Sequence, residues 1–350
     1  MPTSTQTAPE CTPAMRVSQL AHGFIVSSAL SAAIRLNLAE TIGDESISID
    51  ALASKTGTDP DALNRLLRLL ASLEIFVQTG DKTYANNEAS NSLRGDRAES
   101  QRGFVEFITD PFHFTYYADI VPTIRTGRPA PEIATGKNIF ELLAGDPVEQ
   151  TRFDNAMTDL SKAGVHAVLE AYDFININHL VDVAGGHGKL LTAILTQYPQ
   201  LKGTLFDQPH VAAGAAVHIK DVGLESRCGT AGGDFFKEVP QADAYIMKHI
   251  IHDWDDERAS LILKNCRAGL ARKGGGKLLL VEMILPETAQ PHPSVFLDVE
   301  MLVLPGGRER TEQEYRDLLE RTGFRLTRVI PTKSPWCILE AVPVEHAAPI

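Results

Sequence analysis

Apolar residues between Val17 and Leu38 fall at Val17, Leu20, Phe24, Leu30, Ile34 and Leu38. Spacings of three and four, with the small Ser27 filling the one wider gap, predict a helix. Ala21, Ser28, Ala29 and Ala33 would let a second helix approach it closely. Two shorter helical patterns follow, Ile49 to Ser54 and Pro60 to Leu73, parted by Thr56-Gly57-Thr58-Asp59. Asp59 is placed to cap the second, and Pro60 stands at its first position, where a missing N–H costs nothing. Ile75 to Gln78, a turn over Thr79-Gly80-Asp81-Lys82, and Thr83-Tyr84 then predict a hairpin. Helix, turn, helix and hairpin together predict a winged helix. From Phe104 to Asp173 the pattern is mostly helical, broken at Arg128-Pro129-Ala130-Pro131.

The rhythm changes at His179. His179 to Ala184, Gly203 to Phe206, Ala242 to Met247 and Lys277 to Met283 are short apolar strand candidates. Helical stretches such as Lys189 to Gln197 and Asp255 to Ala271 lie between them. Such alternation predicts a parallel sheet with right-handed crossovers. Arg325 to Ile330, a turn at Thr332-Lys333-Ser334, and Trp336 to Val342 predict a closing antiparallel hairpin. The fold class is therefore α/β, with this division: a disordered tail over 1–16, a winged-helix-like region over 17–110, a helical connection over 111–175, and the sheet domain over 176–345.

Composition narrows the choice of partner. Lys and Arg number 33 against 45 Asp and Glu, a formal net charge of −12 in 350 residues. Phosphate and anionic lipid attract an excess of positive charge, so nucleic acid and membrane are not expected as partners. The winged helix itself carries five basic and six acidic residues between Ser46 and Gly95. Its second helix, with Leu63, Leu66, Leu67, Leu69, Leu70 and Leu73, is patterned for burial, which favours packing or dimerisation over base reading. Cys11, Cys228, Cys266 and Cys337 show no CxxC spacing, so reduced thiols and a cytoplasmic location are expected. No apolar run of about 20 residues and no signal peptide are read from the chain.

Candidate chemistry begins where strand 179–183 runs into Ala184-Gly185-Gly186-His187-Gly188-Lys189. A glycine turn between strand and helix lets backbone N–H groups meet a ligand closely. A dinucleotide fingerprint starting at Gly186 would place glycine at 191, where Leu191 stands, which argues against a nicotinamide dehydrogenase. Asp207, about 20 residues on and at a strand end, is placed to accept both hydroxyls of a ribose. Asp234 and Phe235, in Gly232-Gly233-Asp234-Phe235-Phe236, could bind an adenine amine and cover its ring. The aromatic-rich run Asp110 to Tyr117 could be helical core or the wall of a pocket for a flat ligand.

Lys248-His249-Ile250-Ile251-His252-Asp253-Trp254 follows the strand ending at Met247. With Glu282 in Leu280-Val281-Glu282-Met283, then Asp298, Gly306-Gly307-Arg308-Glu309-Arg310-Thr311 and Glu314-Tyr315, this block resembles the plant-type, caffeic-acid-like S-adenosylmethionine-dependent O-methyltransferases. The ordered motifs span residues ~17–343. The resemblance implies a Rossmann-like methyltransferase sheet behind a winged-helix-like dimerisation domain, and a homodimer. It implies that Gly185, Gly186 and Gly188 line the methionine and ribose of S-adenosylmethionine, that Asp207 holds the ribose, and that Asp234 and Phe235 meet the adenine. Lys248 and Ser161 would lie near the cofactor. His252 would be the general base, flanked by Glu282 and Glu309, while Phe153, Met157, Asp253 and Trp254 would touch an aromatic hydroxylated acceptor. One departure is Ala184, where the family has the first glycine of its turn.

The residue types suit that chemistry. A sulfonium methyl is already electrophilic, so no metal is expected. A phenol of pKa ~10 is mostly protonated at neutral pH, and an imidazole within hydrogen-bond reach can take its proton as the oxygen attacks. A carboxylate on the other ring nitrogen, Glu282 or Glu309, would fix the tautomer. The acids at 253, 255, 256 and 257 could suggest a metal site, but Asp255 is placed to cap the next helix. Two alternatives remain at this point: a decarboxylase or hydroxylase on the same cofactor-binding scaffold, and a non-catalytic winged-helix regulator that senses a metabolite.

Overall fold

The computed structural model describes residues 12–97, 99–270 and 276–344, with no side chains described at 161–163. The chain divides into two units, the first running through Thr115 and including Val148–Asp159, the second made of Tyr116–Pro147 and the chain from Leu160 onward. The helical connection expected over 111–175 is thus shared between the units. The 25-residue helix Pro147–Ala171 belongs partly to each.

In the first unit the expected single helix over 17–38 is two, Pro13–Ala21 and Gly23–Arg35, parted at His22, with a short helix Leu38–Ile42 after them. No side-chain bond caps the second helix at His22. Helical structure starts at Pro13, inside the stretch expected as tail; residues 1–11 lie outside those described. The apolar stripe also divides. Ile34 and Leu38 are buried, whereas Val17, Leu20 and Phe24 are 68%, 68% and 67% exposed. Residues 13–35 are also long and apolar enough to cross a membrane by length and composition alone, which corrects the expectation that no stretch is.

The winged helix is present. Helices Ile49–Thr56 and Pro60–Ser72 are followed by strands β2 (Phe76–Gly80) and β3 (Thr83–Asn86), and β1 (Ile47–Ser48) pairs with β3. The Asp59 carboxylate accepts the Ala62 N–H at 2.8 Å, capping a helix that Pro60 opens. That helix buries Leu63, Leu67 and Leu70 against Leu52, Phe76 and Tyr84. Its leucines therefore build a core, and Tyr84 donates its hydroxyl to Asn64 at 2.9 Å inside it.

The second unit is built on seven strands. They are β4 (His179–Val183), β5 (Lys202–Asp207), β6 (Cys228–Gly232), β7 (Ala244–Lys248), β8 (Lys277–Glu282), β11 (Phe324–Pro331) and β12 (Cys337–Pro343), in the order β11-β12-β8-β7-β4-β5-β6. β4 to β8 are parallel, and β12 and β11 add antiparallel at one edge as the expected hairpin. Strand β6 is absent from the sequence expectations. It reads Cys-Gly-Thr-Ala-Gly, sits at the sheet edge and buries little, so it lacks the apolar run of its neighbours.

Alternation along the central strands splits the core into two layers, one on each face. Leu180, Ile246, Leu279 and Val281 pack on one face with Leu191 and Ile194. Val181, Tyr245, Met247, Leu278 and Leu280 pack on the other with Leu318 and Phe324. A small parallel pair, β9 (Ile284–Leu285) and β10 (Arg310–Thr311), carries the segment before residue 310 to the end of β8.

Candidate active site

Most of the candidate side chains sit where the parallel strands end, the usual crevice of such sheets. After β4 the backbone turns through left-handed conformations at Ala184 (φ 57°), Gly186 (φ 57°) and Gly188 (φ 78°) before the helix Lys189–Gln197. Alanine keeps the turn but adopts a conformation that costs an L-residue about 1–2 kcal/mol. A Cβ on Gly185 would come within 2.7 Å of the Asp182 carboxylate, so only glycine leaves this approach open. Asp207, ending β5, accepts the Gly186 N–H at 2.9 Å and the Gln208 N–H at 2.7 Å. Burial pushes its carboxyl above the usual range despite those bonds.

The sequence marks Asp182 only as part of a strand. It is buried beneath the glycine turn, and its Oδ2 meets no hydrogen-bond donor among the described residues. Burial, only partly offset by Lys248, lifts its pKa to about 7. Lys248, at the end of β7, is pulled down to about 8 by burial against the attraction of Asp182 and Glu282. An acid within an otherwise apolar Val-Asp-Val strand is the sequence signal that could have singled it out.

Asp234 accepts the Phe236 N–H at 2.9 Å just past β6, and Phe235 stacks edge-on with Phe236 at 4.8 Å. Trp254 joins these rings, 6.0 Å from Phe235 and 4.9 Å from Phe236, and also meets Phe140 at 5.7 Å. Its ring therefore sits with the residues expected at the adenine. Phe153 and Met157 belong to the first unit, where Phe153 packs on Phe107 at 5.6 Å and Met157 is half-buried. The Ser161 side chain lies outside those described.

His252 stands in a single 3-10 turn, Ile251–Asp253, and is 4% exposed. Its Nδ1 lies 2.6 Å from Glu309 Oε1, against 3.9 Å from Glu282 Oε2, and its Nε2 is 3.5 Å from Asp253. Between the two glutamates left open by the sequence, geometry selects Glu309 as the ring's hydrogen-bond partner. Glu282 instead accepts the N–H groups of Ile250 and Ile251 at 3.2 and 2.9 Å, fixing the start of the turn. Burial alone would lower the His252 pKa, but Glu282, Asp253 and Glu309 outweigh it and raise it to about 10. Burial likewise raises Glu282 and brings Asp253 up to about 6.

The neighbouring His249 is also held left-handed (φ 57°), with its ring 5.3 Å from His252 and 4.9 Å from Trp336. Burial, with Lys248 and His252 nearby, keeps it neutral. The acids after Trp254 disperse into a cap and ion pairs: Asp255 accepts the Arg258 N–H at 2.8 Å, and Asp256 pairs with Arg310 at 2.8 Å and Arg321 at 2.6 Å.

Residues 114–325 match the family model of an O-methyltransferase domain, and residues 18–95 that of an O-methyltransferase dimerisation domain. The chain belongs to the O-methyltransferase family. It is similar to the phenazine O-methyltransferase PhzM of Lysobacter antibioticus, 39% identical over 93% of this chain and 95% of that protein. The crystal structure of LaPhzM matches with a TM-score of 0.87 at 38% identity, covering 95% of this chain and 100% of that one. CalO1, a methyltransferase of calicheamicin biosynthesis solved with S-adenosylhomocysteine bound, matches with a TM-score of 0.85 at 31% identity, over 97% of this chain and 100% of its own.

For an O-methyltransferase, the residues at the sheet edge suit a cationic nucleoside cofactor. The glycine turn packed on Asp182, an Asp182 carboxylate oxygen unpartnered among the described residues, and the strand-end carboxylate of Asp207 together form a polar, acidic cradle.

Proposed function

We propose that this O-methyltransferase methylates a hydroxyl of a flat aromatic acceptor, as a homodimer, with His252 as general base. The observation that carries this reading is the 2.6 Å hydrogen bond between His252 Nδ1 and Glu309, which orients the ring and turns Nε2 toward Asp253, where it takes an acceptor proton once the ring is neutral. When bound, S-adenosylmethionine supplies a methyl group already activated on a sulfonium. Gly185, Gly186 and Gly188 leave backbone room for it, Asp207 accepts from the ribose, Asp234 and Phe235 meet the adenine, and Lys248 lies alongside. Asp253, beside Nε2, is placed to hold an acceptor hydroxyl in line. Phe153 and Met157 are assigned to the acceptor through the family resemblance.

With three carboxylates around it and a pKa of about 10, the His252 ring holds a proton at neutral pH in the ligand-free protein. It serves as a base once that proton is lost, and added positive charge nearby favours the loss by offsetting those carboxylates. A cationic cofactor supplies such charge, so cofactor binding and base activation are linked. The dimerisation-domain match and the exposed Val17, Leu20 and Phe24 support the homodimer.

The test is His252→Ala with S-adenosylmethionine and a hydroxylated phenazine. Turnover should fall by about 10²–10⁴-fold, while calorimetry finds cofactor affinity changed only a few-fold. A product heavier by one methylene marks methyl transfer. Undiminished turnover in the variant removes His252 from the mechanism.

A further inference from the structure

We infer that Arg310 is a positioning residue: its buried guanidinium clamps the turn carrying His252 so that the imidazole stays aligned on Glu309. The inference rests on the reading of His252 as the base. Arg310 is 0% exposed. Burying a guanidinium is costly unless its charge is paired and its donors are met. Here each of the five N–H donors of arginine has an acceptor. Nε donates to Asp256 Oδ1 at 3.0 Å, and one terminal nitrogen to the Ile251 carbonyl at 3.1 Å and the Arg308 carbonyl at 3.3 Å. The other donates to the Trp254 carbonyl at 2.9 Å and Asp256 Oδ1 at 2.8 Å.

The carbonyls of Ile251 and Trp254, far from Arg310 in the chain, matter most. Ile251 and Trp254 bracket His252 and Asp253, so one rigid plane fixes both ends of a turn only three residues long. The rest of this strap, Gly307–Arg310, works on the same turn. The Arg308 N–H donates to the His252 carbonyl at 2.8 Å, and a Cβ on Gly307 would fall onto that same carbonyl. The Glu309 N–H donates to Asp298 at 2.9 Å, tying the strap to the helix Pro293–Val303. Glu309 therefore holds the ring while Arg310 holds the backbone that presents it. Lysine cannot replace it, because an ammonium lacks the planar fork that spans two carbonyls and a carboxylate.

A purely structural arginine would change melting temperature and leave the histidine's environment alone, so the test reads that environment. The short Nδ1–H···Glu309 bond should give a far-downfield proton resonance in the complex with S-adenosylhomocysteine, absent in His252→Ala. Arg310→Met should abolish that resonance, lower kcat by about 10²-fold, and displace the pH profile of kcat, with cofactor affinity within a few-fold of wild type. Arg310→Lys should recover only part of the loss. If Arg310→Met does not fold, Arg310→Lys decides, with Asp256→Asn as a milder loosening of the same clamp. A folded Arg310→Lys protein with wild-type kcat, pH profile and resonance overturns the inference. Turnover that survives His252→Ala would instead sink the base assignment, and the resonance would still show whether Arg310 aligns the ring.

Discussion

The helical stripe of the first unit and the strand ends of the second are unfinished in opposite ways. In the first unit, charge is settled at the surface: Arg94 pairs with Asp44 at 2.8 Å and Asp96 at 2.9 Å, and Arg102 with Glu40 at 2.5 Å. What the first unit leaves open is apolar, the uncovered stripe of Val17, Leu20 and Phe24. In the second unit the central strands bury apolar side chains on both faces of the sheet, although Phe296 and Ile175 stay exposed elsewhere, and what the strand ends leave open is polar. Asp182 Oδ2, His249 Nε2, Glu282 Oε2 and Glu309 Oε2 are buried without hydrogen-bond partners among the described residues, all near the ends of β4, β7 and β8. Apolar surface without cover favours another protein surface, whereas buried polar atoms without partners favour a ligand or ordered water. At these two places the chain thus separates a surface suited to assembly from one suited to chemistry.

The contrast can be broken most forcefully at the stripe. Leu20→Asp with Phe24→Asp places four charges where a dimer would bury four apolar side chains worth about 1.5–3 kcal/mol each. The dissociation constant should rise by about 10⁴-fold or more, seen as monomer by sedimentation velocity. A dimer that survives the double change would move the interface elsewhere.

A smaller and sharper effect concerns the buried charges. Titrated by NMR, His252 should be at least about tenfold easier to deprotonate with S-adenosylmethionine bound than with the uncharged-sulfur S-adenosylhomocysteine. Equal titration in the two complexes would uncouple the ring from the cofactor's charge. In the ligand-free protein the folded ring keeps its proton to about 10, above the 6.5 of an unfolded histidine. Its contribution to stability is therefore complete below pH 6.5 and is lost as pH rises through about 10.

The smallest effect lies in the glycine turn. Ala184→Gly relieves a left-handed alanine at some cost in unfolded-chain entropy, and should stabilise the protein by a net of about 0.5 kcal/mol in urea denaturation. Destabilisation instead would show that the Ala184 methyl packs usefully.

Much of this was legible before any coordinates, for local reasons. Asp59-Pro60 announces a helix start, the parallel strands are short apolar runs, and the terminal hairpin has a turn between two apolar segments. The break at His22 was not, because the apolar spacing continues across it while the local backbone does not. Strand β6 was missed since edge strands need little apolar content. At the site, His252 and its two glutamates could be picked from their motifs. Which glutamate bonds the ring depends on β9 pairing with β10, a contact between residues far apart in the chain. Arg310 gave no sign of its role, since an arginine beside a glutamate looks the same whether it faces solvent or lies at 0% exposure.

At position 307 the chain passes so near the His252 carbonyl that even a methyl group has no place. A joint with no tolerance is inherited whole or not at all. Descendants of this enzyme that take up new acceptors would have to change through residues outside the strap, and a sequence with a bulkier residue at 307 should be suspected of having given up this catalytic arrangement.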